Sequence, residues 1–197
     1  MEILTKLAAN LNRRGFQAMV IDSRESIAEY ILPLIKGKSV GIGNSMTIKN
    51  LGLIEIIKNE AKECYTHLPG KSGSSERNAL LSDIYLTSAN AISIDGQIVN
   101  IDGTGNRVAA TCFGPRQVIY LIGQNKIASN LNDAIERAKQ VAVKLASQYK
   151  RKTPCVKTNK CTDCLSPDCI CSITTIHRKN PYGNKIIVLL INESLGL

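Results

Sequence analysis

At 197 residues the chain is long enough to bury one hydrophobic core, and 44% hydrophobic with 21% charged residues exclude a disordered or low-complexity chain. No apolar run approaches the ~20 residues that a bilayer span needs, so no membrane contact is expected. The net charge of +9 (25 Lys and Arg against 16 Asp and Glu) is spread along the chain without interleaved aromatics, which suits small anionic ligands and speaks against a nucleic-acid platform.

In chain order, Ile3, Leu4, Leu7, Ala8 and Leu11 fall at helical spacing and predict a helix over residues 2–14 that Gly15 ends. The basic pair Arg13 and Arg14 follows the apolar part, unlike a secretory signal, so the expected location is the cytoplasm. Residues 16–21 read as a strand, and Ser23 caps a second helix reaching Ile35. A strand over residues 39–42 runs into the loop Gly43-Asn44-Ser45-Met46-Thr47 and a helix over residues 47–60. Further strands are expected at 63–67, 84–87, 91–94, 98–101 and 118–122, with Asp95-Gly96 as a hairpin turn. A long amphipathic helix follows over residues 132–149. With no Trp and only two Phe, the core must be aliphatic, which suits strands buried on both faces. Strand alternating with helix predicts an α/β fold with a doubly wound sheet.

After Tyr149 the texture changes. Residues 153–171, TPCVKTNKCTDCLSPDCIC, hold five of the seven cysteines and show no apolar periodicity. Cys161 and Cys164 have the C-x2-C spacing that brings two thiolates to one metal centre, Cys155 precedes them, and Cys169 and Cys171 follow. Four sulfurs suffice for a [4Fe-4S] cluster or for tetrahedral zinc, and spacing alone does not separate the two. His177 is a possible replacement ligand for zinc, and Cys64 and Cys112 sit in apolar contexts as expected buried hydrophobes. Two strand-like runs, 172–176 and 185–191, complete the chain.

Two loops have the chemistry to hold a ligand. Gly43, Asn44, Ser45 and Thr47 lie between a strand and a helix start, where backbone N–H groups and hydroxyls can hold a phosphate or carboxylate; a plain turn capped by Ser would look the same. Asn90, Asn100, Asp102, Gly103, Thr104, Asn106 and Arg107 crowd hydrogen-bonding groups around two glycines, with Arg107 as the expected anion-binding cation.

These segments carry a resemblance. LLSDIYLTSANAISIDGQIVNIDGTGNRVAATCFGPRQVIYLIGQNKI resembles the core of the lactate-utilisation (LUD) domain family, and TPCVKTNKCTDCLSPDCICSITTIHRKNP resembles the cysteine-bearing tail of its short members. The resemblance implies the Rossmann-like fold of ribose-5-phosphate isomerases and CoA transferases. It also implies a core over residues 1–150 and a metal-binding segment over 151–197 whose two strands pack on that core. GIGNSMT is similar to the superfamily's phosphate loop. Asn90 stands where related methylthioribose-phosphate isomerases carry Asp, and an amide cannot take up a proton as a carboxylate can. The family implies participation in L-lactate oxidation to pyruvate with iron–sulfur partner proteins. It also singles out Cys155, Cys161, Cys164 and Cys171, because relatives carry a basic residue at Cys169. With no flavin or nicotinamide motif, the chain reads as a subunit or accessory. The alternative is a sugar-phosphate isomerase or acyl-transfer enzyme with a structural zinc, for which Asp95, Asp102 or Glu76 would have to move the proton.

Overall fold

The structure is a computed structural model that describes residues 1–66 and 74–197. The first half runs α1 (Glu2–Arg13), β1 (Gln17–Ile21), α2 (Arg24–Ile35), β2 (Ser39–Ile42), α3 (Met46–Asn50), α4 (Leu53–Glu60), β3 (Glu63–Thr66), α5 (Ser74–Leu80) and β4 (Ile84–Thr87). The second half runs β5 (Ala91–Ser93), β6 (Ile98–Asp102), α6 (Asn106–Cys112), β7 (Gln117–Gly123), β8 (Ile127–Ala128), α7 (Leu131–Gln148), α8 (Pro154–Thr158), β9 (Ile173–His177) and β10 (Lys185–Ile191).

Local rules set several boundaries. Gly15, at φ +82°, closes α1 in the left-handed region that a side chain resists. The Ser23 hydroxyl accepts from the Ser26 N–H at 3.2 Å and caps α2 as expected. The helix expected over 47–60 is two helices, because Gly52 turns left-handed at φ +68° between α3 and α4. The long helix starts earlier than expected, since Asn130 accepts from the Asp133 N–H at 2.9 Å and caps α7. The strand expected over 63–67 ends at Thr66, and His67 lies outside the described residues.

Six parallel strands form the main sheet in the order β1-β10-β7-β4-β2-β3. The fold is a mixed α/β, Rossmann-like architecture with a central parallel sheet flanked by helices. Strand β10 shows why continuous apolar runs belong here. Ile187, Leu189 and Ile191 join Ile27, Ile31 and Ile57 in one core layer, while Ile186, Val188 and Leu190 join Leu4, Leu7 and Leu11 in the other. Residues 185–191 therefore lie inside the sheet, between β1 and β7, rather than packing on a finished core.

The remaining strands form a second sheet, β8-β5-β6-β9, which alternation alone did not distinguish from the first. Its β5–β6 hairpin turns at Gly96, φ +90°, as Asp95-Gly96 predicts. Ala134, Ala138 and Ala142 of α7 pack on Ala91, Val99 and Ile101 of this sheet. Small side chains let the helix approach closely. No helix among the described residues is long and apolar enough to cross a membrane.

Candidate functional site

In open parallel sheets, loops beyond the carboxyl ends of the strands form the ligand crevice. Here the loops after β2, β4 and β7 meet the last residues of the chain. Asn44, Ser45 and Met46 follow β2, Ser88, Ala89 and Asn90 follow β4, and Lys126 ends the 3-10 turn after β7. Together with Arg107, Tyr149 and Leu197 they line a cavity of about 80 Å³. Gly43 at its edge has no room for a side chain: a Cβ there would lie 2.9 Å from the Tyr85 hydroxyl and 3.1 Å from Thr87 Oγ1.

The Gly43–Thr47 loop is mostly occupied with its own structure. Ser45 Oγ accepts from the Ile48 N–H at 3.4 Å and caps the five-residue α3. Thr47 Oγ1 donates to the Leu195 carbonyl oxygen at 3.3 Å and is hydrogen-bonded to Ser88 Oγ at 3.2 Å, which ties the β2 loop to the β4 loop and to the chain's last residues. Asn44 is exposed and donates to the Tyr149 hydroxyl at 3.3 Å.

Arg107 has a different role from the expected one. Its Nε donates to Asp102 Oδ2 at 3.3 Å, Nη1 to Asn100 Oδ1 at 2.6 Å and to the Ser88 carbonyl at 3.4 Å, and Nη2 to Asn90 Oδ1 at 2.9 Å and the Ile101 carbonyl at 2.6 Å. All five donors are used, so the guanidinium is a clamp that joins the β4 loop to β6 and has no N–H left for a ligand. Asn90 and Asn100 cross-brace the same strands: Asn90 accepts from the Ile101 N–H at 2.9 Å and Asn100 accepts from the Asn90 N–H at 3.2 Å. Asn100 also donates to the buried Tyr120 hydroxyl at 3.2 Å. Asp102 Oδ1 accepts from the N–H groups of Thr104 and Gly105 at 3.0 and 2.8 Å and shapes the turn into α6. Gly103, Thr104 and Asn106 line a neighbouring cleft that shares Asn44, Arg107 and Tyr149 with the cavity.

Lys126 was not singled out from the sequence. It is 5% exposed, and its Nζ donates to the Ala89 carbonyl oxygen at 3.0 Å. Burial, together with the charges of Arg137 and Arg107, pushes its amine down from 10.5 to about 7. Arg137 is held by backbone carbonyls of Asn90, Asn125 and Leu197, and burial lowers it as well. The legible signal was a lysine directly beyond the carboxyl end of an apolar strand.

Five cysteines (Cys155, Cys161, Cys164, Cys169 and Cys171) line one cavity of about 30 Å³ against Ala142, Val143 and Ala146 of α7. The short helix α8, which the sequence pattern did not indicate, carries Cys155. Asp163 adopts φ +46° in the C-x2-C turn, and Lys139 lies 3.5 Å from its carboxylate. Asp168 pins the segment by accepting from the Lys152 N–H at 2.6 Å and from Arg151 at 2.9 Å. Burial pushes the Cys171 thiol up to about 11, and the neighbouring Cys169, Cys161 and Cys164 add to the rise. A hydrogen bond from Ser172 lowers Cys169. Among the described residues, no three His, Cys, Asp or Glu side chains meet as a metal-binding group.

The cysteine segment is not peripheral to the ligand loops. A Cβ on Gly103 would lie 3.0 Å from the Ile170 Cα, between Cys169 and Cys171. His177 is elsewhere: it is buried on β9 with Nε2 3.1 Å from the Thr111 carbonyl and 3.9 Å from Cys112 Sγ, and burial lowers its pKa. Cys112 is exposed and Cys64 half-buried, against the expectation of two buried thiols.

The LUD domain family model matches residues 4–191. The chain belongs to the LUD domain family. A solved structure of a DUF162 family protein from Deinococcus radiodurans superposes with a TM-score of 0.58 at 14% identity, covering 97% of each chain. At that identity the likeness concerns the fold. The search of curated proteins finds no match. In this LUD domain, Asn44, Ser45, Asn90 and Arg107 line one cavity with Lys126, whereas Asp102, Gly103, Thr104 and Asn106 line the neighbouring cleft, and Arg107 is spent on holding the two together.

Proposed function

We propose that this LUD domain is a subunit or accessory in the oxidation of L-lactate to pyruvate. It would bind a small anionic ligand, a carboxylate or phosphate, at the β2–β4–β7 crevice and hold a metal centre on its cysteine segment. The observation that carries this reading is the arrangement of five thiols around one cavity whose segment abuts the loop over residues 103–105. The donor set suits a thiolate-bound centre: Cys155, Cys161, Cys164 and Cys171 would hold it, with Cys169 beside them and Lys139 offsetting negative charge. Four thiolates suit either a [4Fe-4S] cluster or zinc, and the cluster is preferred because the family works with iron–sulfur partner proteins.

Oxidising a 2-hydroxy acid to a 2-oxo acid releases two electrons and two protons. A [4Fe-4S] cluster passes one electron at a time, so iron–sulfur partner proteins would have to take the electrons onward. The anionic ligand is supported by the crevice wall, where Arg107, Lys126 and Arg137 contribute positive charge and Asp102 is already paired with Arg107. That pairing also weighs against the isomerase alternative, since it leaves Asp102 poorly placed to shuttle a proton.

Anaerobic purification with iron, sulfide and zinc analysis tests the reading. About four iron and four sulfide per chain with absorbance near ~400 nm are expected. Stoichiometric zinc in a colourless anaerobic preparation would overturn the electron-carrying part.

A further inference from the structure

Like charges gathered on a surface repel one another unless something of opposite sign meets them. Arg13, Arg14, Arg178 and Lys179 form such a group. They line an open cleft of about 470 Å³ where the end of α1 meets the residues that follow β9. Among the described residues, none of the four forms an ion pair with a carboxylate. Asp95, the acid on the adjoining β5–β6 turn, meets Arg14 through its backbone carbonyl.

Two of these cations are held in place. Arg14 donates from Nε to the Asp95 carbonyl at 2.5 Å and from Nη1 to the Arg178 carbonyl at 2.8 Å, and its own carbonyl accepts from the Asn180 N–H at 2.9 Å. A Cβ on Gly96 would lie 3.2 Å from Arg14 Cδ, so the glycine that makes the hairpin turn also leaves room for this side chain. Arg13 Nη2 donates to Asn10 Oδ1, and Asn10 Nδ2 donates to the Ile94 carbonyl at 2.7 Å. Asn10 is 7% exposed, and a buried amide is tolerated only when it is hydrogen-bonded. It therefore ties the hold on Arg13 to the β5–β6 turn. These bonds use two of the five N–H donors of Arg14 and one of Arg13, which leaves both guanidinium forks with free edges. Arg178 and Lys179 are exposed, and their side chains make no hydrogen bond among the described residues. A merely solvated basic face would leave its arginines free to move, and a merely structural pair of arginines would not gather two further cations beside them.

We propose that this cleft is a second ligand site, which binds linked phosphate groups, free or carried on a nucleotide. Planar guanidinium forks match phosphate oxygens two at a time, and three of the four cations are arginines. Four positive charges without an acid suit linked phosphates better than a lone carboxylate. The cleft also lies in the range of ~300–1,000 Å³ that small-molecule sites occupy, more than a small 2-hydroxy acid fills. Its lining holds no aromatic or amide side chain, so the phosphates are recognised and a base is not. The site shares no lining residue with the β2–β4–β7 crevice, the neighbouring cleft or the cysteine cavity, so it does not depend on the function proposed above.

The test uses the full chain at about 0.15 M salt, with pyrophosphate, tripolyphosphate, ATP, adenosine and sulfate as calorimetric probes. Tripolyphosphate should bind more tightly than pyrophosphate, ATP should match tripolyphosphate, and adenosine should not bind. Arg178→Gln and Lys179→Gln remove charge without removing a structural bond, and each should weaken tripolyphosphate binding about tenfold. Lys157→Gln with Lys160→Gln removes the same charge from the cysteine segment and should leave the affinity unchanged. In nitrogen-15 spectra the Arg14 Nε–H signal, assigned by its loss in Arg14→Lys, should move during the titration, while those of Arg107 and Arg137 stay in place. Equal losses from the two pairs of variants, or sulfate binding as tightly as tripolyphosphate, would reduce the cleft to general surface charge and overturn the inference. Movement of Arg107 or Arg137 with Arg14 unmoved would put the anion in the crevice instead, and tighter binding of a single-stranded oligonucleotide than of tripolyphosphate would make the face a nucleic-acid surface; either overturns it. So does the absence of binding by every phosphate probe.

Discussion

Replacing Lys126 with Met should stabilise the protein near neutral pH, the opposite of what removing a buried hydrogen-bonding side chain usually does. Met fills a similar volume and carries no charge. The drop of the amine from 10.5 to about 7 means that, below both values, the folded state carries a burden of about 5 kcal/mol relative to an unburied lysine. At pH 7, where the folded amine is half deprotonated, about 4 kcal/mol remains. Losing the donor to the Ala89 carbonyl returns about 1 kcal/mol of cost, so the net gain at pH 7 is about 3 kcal/mol. The sign with pH follows from the depressed value. Between ~7 and 10.5 the unfolded chain binds more protons at this position than the folded one, so wild-type stability rises with pH in that window. From pH 7 to about 9 the wild type should gain about 2 kcal/mol relative to Lys126→Met, and the two should converge toward pH 10.5. Urea unfolding at three pH values measures this, with midpoints read at constant m. If the difference between wild type and variant does not change with pH, Lys126 is not buried as a neutral amine and the reasoning is refuted.

Arg107→Ala should cost about 3–5 kcal/mol in urea unfolding, because it strands the Asn90, Asn100 and Asp102 acceptors and the Ile101 carbonyl; a loss under 1 kcal/mol would show the clamp to be ornamental. Gly103→Ala forces a methyl against the Ile170 backbone and should lower stability by about 1–3 kcal/mol while loosening the cysteine segment, read as faster loss of bound metal to a chelator; unchanged metal retention would separate that segment from the ligand loop. Cys164→Ser should reduce bound metal by most of its stoichiometry, whereas Cys112→Ser, beside His177 and away from the cavity, should leave it unchanged. Equal effects from both would argue for adventitious thiol binding.

Much of the fold follows from local pattern. Ser23 and the Asp95-Gly96 turn act through their neighbours in sequence, so their effects were visible before any packing was known. The two-layer burial of β10 was visible as a run without polar residues, although its place between β1 and β7 was not. The break at Gly52 was missed because a helical apolar pattern continues on both sides of it, and a single glycine is compatible with either outcome. In the site, the polar residues around Gly103 stand out in the sequence by their density. Their roles were not legible, because donors and acceptors choose partners by distance in three dimensions. Arg107 looked free in the sequence only because Asn90 and Asn100, which occupy it, lie 17 and 7 positions away.

The sequence by itself determined the family, the alternation that makes an α/β fold, the metal-type cysteine spacing and the approximate location of a polar crevice. Those properties depend on residue type and short-range order. The tertiary structure decided which strands form which sheet, that the cysteine segment abuts the loop over residues 103–105, and that Arg107 is spent on the protein while Lys126 is buried against the Ala89 carbonyl. Burial and charge pairing are properties of a residue's surroundings, and the surroundings of Lys126 come from β7, α6, α7 and the chain's last residues, which no short window of sequence brings together.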